Sequence, residues 1–301
     1  PHLRRITAME QHQDDIIKSL STVRDYLRWA VGRFTQAKLY LGHGTDNPWD
    51  EALSLIFHGL QLDHGIGDFV LDAVLTPRER QMLITLVETR VHDRLPVPYI
   101  TGEAAFAGLS FKVDERVLVP RSPIAEMIDN AFHPWQTAPI ETALDLCTGS
   151  GCIGIACAVH LDMRVDLADI STDALEVARQ NVARHDVGSR TRLIQSDMLE
   201  DIDDSYDLIV CNPPYVDKND FASMPAEYQH EPDIALASGD DGLDCSRRLL
   251  ASAGHHLNDG GLLVLEVGNS AIALERAYPQ VPFVWVEFER GGQGVCVLGR
   301  D

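Results

Sequence analysis

Two short stretches of this chain carry residues whose types and spacing could do chemistry. The first is Asn212-Pro213-Pro214-Tyr215, which closes the apolar run Tyr206-Asp-Leu-Ile-Val-Cys211. Pro213 and Pro214 fix φ and have no N–H, so the turn cannot extend a β-ladder and its carbonyls are left for a ligand. The Asn212 side-chain oxygen and the Pro213 carbonyl can each accept one N–H of a primary amide or aromatic amine. Tyr215 offers an aromatic face to a flat group. An amide nitrogen is a poor nucleophile because its lone pair is delocalised. Accepting both hydrogens concentrates density on nitrogen and stabilises the positive charge that develops there. The bland reading is an ordinary tight turn, and the position after an apolar strand weighs against it.

The second stretch is Asp145-Leu-Cys-Thr-Gly-Ser-Gly-Cys-Ile-Gly154, after the apolar run that starts at Thr142. Its Gly-x-Gly-x-x-Gly spacing is shared with dinucleotide folds and is weak alone. The acid Asp145 just ahead of it would repel a pyrophosphate and suits a ligand with an ammonium group. Asp169 stands about 20 residues beyond the glycines, where a carboxylate can accept both hydroxyls of a ribose; the other reading is a helix cap before Thr172. Ser196-Asp197-Met198 follows the next strand. There Asp197 or its backbone can accept from an adenine amino group and Met198 can pack on the ring, although Asp197 reads almost as well as a solvated loop acid. Glu103, Arg121, Glu126 and Glu266 could approach this pocket, or equally cap helices and form surface ion pairs.

Elements must position these stretches. In the first part, Ile16, Ile17, Leu20, Val23, Leu27, Val31 and Phe34 recur at helical steps. Asn47-Pro48 reads as an N-cap with proline at the first helical position, and Thr76-Pro77-Arg78-Glu79 as a capping box. Pro96 and Pro98 stop that helix. A helical, substrate-docking domain over residues 1–95 follows. Residues 96–121 read as a β-hairpin linker, with Gly108 and a charged turn at Asp114-Glu-Arg116. From residue 122 to 301 strands alternate with helices: 143–146, 164–168, 192–195, 207–211 and 261–267, then 283–288 and 295–298 joined by a tight Gly291-Gly-Gln-Gly294 turn. That alternation predicts an α/β, doubly wound, mostly parallel sheet with an antiparallel hairpin at one edge.

Composition narrows the partners. The chain has 301 residues, 45% hydrophobic, which suits two globular domains. No apolar stretch is long enough to span a bilayer, and Pro1 to Thr7 lacks a signal-peptide core, so a cytoplasmic location is expected. Six cysteines without a Cys-x-x-Cys pair fit small buried residues and no metal site. The net charge is -21, of which residues 101–301 carry -19. A phosphate-gripping protein needs a basic face, so a basic protein partner is expected rather than nucleic acid.

At the residues quoted, the chain resembles the protein-glutamine N-methyltransferase family, which methylates a side-chain amide of translation proteins using S-adenosylmethionine. The resemblance covers nearly the whole chain. The linker of the release-factor branch reads Pro-Arg-Pro-Asp-Thr-Glu. Pro120-Arg121-Ser122-Pro123-Ile124-Ala125-Glu126 is instead similar to the branch acting on large-subunit ribosomal protein L-three, as is Gly42-His-Gly-Thr-Asp-Asn-Pro-Trp-Asp-Glu-Ala52. Ala237-Ser-Gly-Asp-Asp-Gly-Leu-Asp244 is shared more broadly. The resemblance implies a Rossmann-like, seven-stranded class I methyltransferase sheet. It places cofactor contacts on Cys147, Thr148, Gly149, Ser150, Gly151, Asp169, Met198 and Asn212, and substrate contacts on Asn212, Pro213, Pro214 and Tyr215. Cys147 stands where the family usually has glycine; a positive φ there would cost about 1–2 kcal/mol.

The leading expectation is therefore glutamine methylation of free or partly assembled L-three, with no membrane and no direct nucleic-acid substrate. A release-factor enzyme and an exocyclic-amine nucleic-acid methyltransferase are the alternatives. A non-catalytic assembly factor is a third, weakened by the presence of Asn212 and Asp169.

Overall fold

Near-continuous apolar runs make the central strands, as expected where helices cover both faces of a parallel sheet. The computed structural model describes residues 15–63, 65–136 and 139–300, so the N-terminal stretch 1–14 lies outside the described residues. The chain divides into two compact units, Pro1–Gly102 and Glu103–Asp301.

In the first unit, three helices share one core: α1 (Val23–Ala37), α2 (Pro48–Gly59) and α3 (Pro77–His92), followed by the short α4 (Val97–Thr101). Asn47 caps α2 through the amides of Trp49 and Asp50, and the Thr76–Glu79 capping box opens α3 as the sequence implies. The run from Ile16 to Phe34 is not one helix. A second capping box, Thr22 with Asp25, restarts it at Val23. Leu27, Phe34, Leu55, Ile56, Leu83 and Ile84 are fully buried, and so is Arg90, whose Nε donates to Glu51 Oε1 at 2.8 Å.

The second unit opens with a hairpin, β1 (Glu103–Phe106) and β2 (Leu109–Lys112), followed by α5 (Ile124–Asp129). The hairpin turns at Ala107-Gly108, earlier than the charged turn expected at Asp114–Arg116, where a bidentate ion pair closes a loop instead. Then come β3 (Thr142–Leu146), α6 (Cys152–His160), β4 (Arg164–Asp169), α7 (Thr172–Arg184), β5 (Thr191–Gln195) and β6 (Tyr206–Cys211). After α8 (Lys218–Ser223) and α9 (Asp244–Ser252) the chain ends with β7 (Leu257–Glu266), α10 (Ala271–Ala277), β8 (Val284–Trp285) and β9 (Val295–Gly299).

The sheet order is β5-β4-β3-β6-β7-β9-β8, parallel except at β9, which is antiparallel to β7 and β8. This is the doubly wound seven-stranded sheet that was expected. Side-chain alternation sorts neighbours onto two cores. Ala143, Leu167, Leu208, Val210 and Val264 face one layer, and Leu144, Leu146, Ala168, Ile209 and Leu265 the other. β8 is only two residues long, so the expected strand 283–288 and tight glycine turn are replaced by a loop. Gly294 packs in that loop against Gly268, where a Cβ would lie 2.2 Å from the Gly268 carbonyl oxygen.

The strand order reverses between β3 and β6, the place where open α/β sheets bind ligands beyond their carboxyl ends. Register sharpens this. Leu146 pairs with Ala168 on one side and with Cys211 on the other, so Cys147, Asp169 and Asn212 leave the sheet level with one another.

Candidate active site

The glycine turn is held from beneath. Asp145 lies on the opposite face of β3 from Leu144 and Leu146. Its Oδ2 accepts from Thr148 Oγ1 at 2.6 Å and from the Gly154 amide at 2.9 Å. Burial pushes its carboxyl up to about 7, against the pull of those two donors. Gly154 must be glycine for this contact, because a Cβ there would lie 2.3 Å from Leu167 Cδ2 and 2.9 Å from Asp145 Cβ. Cys147 takes φ 60°, the left-handed conformation that its family position raises as a cost.

Gly149 has φ 54°, with open space where a side chain would stand. Its amide donates to Asp169 Oδ2 at 2.9 Å, and the Ser171 amide donates to Oδ1 at 2.9 Å. Burial raises the Asp169 carboxyl, offset in part by these amides. Each oxygen keeps lone-pair capacity for a further donor. Asp197 receives an ion pair from Arg248 Nη1 at 2.7 Å, so it is neither free nor merely solvated. Met198 is buried beside it, with its sulfur 3.9 Å from Cys147 Sγ.

A cavity of about 310 Å³ joins these groups. Its walls include Cys147, Thr148, Gly149, Ser150, Asp169, Asp197, Met198, Asn212 and Pro214. Among the described residues none hydrogen-bonds the Asn212 side chain, which leaves its amide for a ligand. Four expected residues do not line the cavity. Asp145 supports the turn from below, and Gly151 caps α6 with φ 82°. Pro213 is buried. The Tyr215 ring lies against Gly268, whose missing side chain makes room for it, with its hydroxyl 3.4 Å from Glu266 Oε1. One side of the Tyr215 ring is thus already used. The donor set fits an S-adenosyl cofactor: a bare glycine backbone, a carboxylate with spare acceptor capacity and a buried thioether.

The opposite wall was not legible in the sequence. Segments 116–122 and 232–237 both contribute to it. They are joined by Arg121, which donates two hydrogen bonds to Glu231 at 2.6 and 2.7 Å and lies 5.3 Å from the Tyr228 ring centroid. Glu231 also accepts from the Val119 amide at 3.0 Å. The signals were Pro120-Arg121-Ser122-Pro123, which reads as a branch marker, and Arg121, which reads equally as a pocket residue or an ion-pair partner. The other residues left open are settled by position. Glu103 forms a surface ion pair with Arg184 at 2.7 Å. Glu126 accepts from the Glu289 and Arg290 amides at 3.0 Å each.

Known proteins resemble this chain over most of its length. The family model described as "Methyltransferase small domain" matches residues 133–227. A ribosomal protein uL3 glutamine methyltransferase of Francisella tularensis is 46% identical over 296 residues, covering 97% of this chain and 94% of that protein. The enzyme of the same name from Bordetella pertussis is 45% identical over 293 residues, covering 96% and 98%. With identity at that level across nearly its full length, the chain belongs to the ribosomal protein uL3 glutamine methyltransferase family.

Proposed function

We propose that this chain methylates the side-chain amide nitrogen of a glutamine in ribosomal protein uL3, with S-adenosylmethionine as the methyl donor. The observation that carries the reading is the uncommitted Asn212 side chain in the same cavity wall as Gly149 and Asp169. The bound cofactor supplies an electrophilic methyl group on a sulfonium.

The chain's own residues do the rest. Asp169 receives the ribose hydroxyls, and Met198 packs on the adenine. Asn212 Oδ1 and the Pro213 carbonyl accept the two hydrogens of the substrate amide, which orients its lone pair and stabilises charge at nitrogen. Tyr215 buttresses the turn from behind. Holding the two reactants in line can supply roughly 7–11 kcal/mol of barrier reduction. Residues 1–95 act as the docking domain, 96–121 as the linker and 122–301 as the catalytic domain.

The partner is basic uL3, free or in an assembly intermediate. The -19 charge of residues 101–301 attracts such a protein and repels finished ribosomal RNA. The test is transfer of labelled methyl to purified uL3, a release factor and unmodified nucleic acid in parallel. Label on one glutamine of uL3 is expected. Label on the release factor alone would reassign the partner, and equal rates on free uL3 and finished ribosomes would remove the charge argument.

A further inference from the structure

One buried carboxylate beside this site has no part in the chemistry above. Glu266 ends β7 and is 5% exposed. Its Oε2 accepts from Ser122 Oγ at 2.5 Å and its Oε1 from the Tyr215 hydroxyl at 3.4 Å. Ser122 directly follows the linker and lines the cavity, and its hydroxyl also receives the Ile124 amide at 3.1 Å. Tyr215 ends the Asn212 turn. Its ring is pressed on Gly268, where a Cβ would lie 2.5 Å from Cε2, and its carbonyl accepts from Ser270 Oγ at 2.8 Å. A rigid Tyr215 therefore transmits any displacement of its hydroxyl to the turn.

We propose that Glu266 is a positioning residue for methyl transfer: its carboxylate ties Ser122, the residue after the linker, to Tyr215 and so fixes the angle at which Asn212 and the Pro213 carbonyl meet the substrate amide. The inference rests on reading residues 212–215 as the amide-binding turn. Its physical basis is cost. A buried carboxylate is expensive unless hydrogen-bonded, and an apolar residue at the end of a central strand would pack more cheaply. Two hydroxyl donors aimed at its two oxygens call for the ionised form. Burial pushes the Glu266 carboxyl up to about 7, while Ser122, Tyr215 and Arg121 pull it down. Arg121 itself is committed to Glu231. The tie therefore changes state near neutral pH.

The test uses the full chain with uL3 as substrate. Glu266→Gln is expected to lower kcat about 10- to 100-fold at pH ~8, as small misplacements of reacting groups do. KM and the calorimetric cofactor affinity should stay within about twofold, and melting temperature should not fall. Wild-type kcat should drop on the acid side of pH ~7, and Glu266→Gln should lack that limb. Combining Ser122→Ala with Glu266→Gln should add little further loss. If Glu266→Gln fails to fold, Tyr215→Phe, which keeps the ring and removes the hydroxyl, should lower kcat in the same selective way.

Glu266→Gln with wild-type kcat and pH profile would overturn the inference. So would a loss of kcat matched by equal losses in cofactor affinity and melting temperature, which would mean a structural role. Wild-type protein that leaves uL3 unmethylated would instead remove the functional reading itself.

Discussion

Asn212 and Cys147 leave the sheet side by side, yet they test different things. If Asn212 Oδ1 holds a substrate hydrogen, Asn212→Ala should cost about 10²–10³ in kcat, the usual loss for one preorganised polar group at a developing charge. Cofactor affinity should change little, so single-turnover rates and calorimetry must separate. Turnover left intact would sink the amide pocket. Cys147 tests strain. At φ 60° a non-glycine residue costs about 1–2 kcal/mol. Cys147→Gly releases that strain but adds roughly 0.5–1 kcal/mol of chain entropy and loses thiol packing, so stability should hold. Cys147→Val puts a β-branched side chain in the left-handed region and should destabilise by about 1–2 kcal/mol more. Denaturant melts that ranked valine with glycine would show the turn to be more relaxed than its φ implies.

Among elements, what could be read from the sequence was whatever a local rule controls. Apolar runs gave β3, β6 and β7, and Asn47 and Thr76 gave two helix starts. Register then follows from the fold, and it brings Cys147, Asp169 and Asn212 level. The Thr22–Asp25 capping box is masked in the sequence because Ile16 to Phe34 keeps one apolar face across the break. The opposite wall of the cavity was illegible for a deeper reason. Its short 3-10 turn Asp233–Ala235 has no periodicity, and Arg121 and Glu231, which place it, are 110 residues apart. The role of Gly154 was half legible. Its motif position implied glycine, but only packing shows that α6 rests on Leu167 and Asp145. Gly154→Ala should cost about 1–3 kcal/mol by overpacking. Since Asp145 anchors both Gly154 and Thr148, the variant should also weaken cofactor binding, read together by chemical denaturation and calorimetry. Destabilisation with unchanged cofactor affinity would uncouple the helix from the turn.

The whole molecule is acidic, and its two most perturbed carboxyls make a pH dependence whose sign can be worked out. Asp145 and Glu266 are pushed by burial from ordinary values of 3.8 and 4.5 up to about 7. Below pH ~4 both are protonated in folded and unfolded chains and contribute no pH dependence. Between pH ~4 and ~7 the unfolded chain releases these protons while the folded chain keeps them. Stability therefore falls as pH rises, by up to about 1.4 kcal/mol per pH unit for each group. Above pH ~7 both states are ionised and the loss is complete. Asp25, Glu79, Asp114 and Asp207 run the other way. Their depressed values give stability that is lost as pH drops through the acid range, so the optimum sits between the two effects, at a mildly acidic pH. Self-repulsion of a chain at -21 adds to the decline toward alkaline pH, which is why the wild-type curve alone decides little. The difference between wild type and Glu266→Gln decides it. The variant keeps the general repulsion and loses one titration, so its melting temperature should fall less steeply across pH ~5 to ~7 and parallel the wild type above pH ~8. Parallel curves across the whole range would mean that Glu266 is already ionised well below neutrality, and the tie between Ser122 and Tyr215 would then hold at every physiological pH.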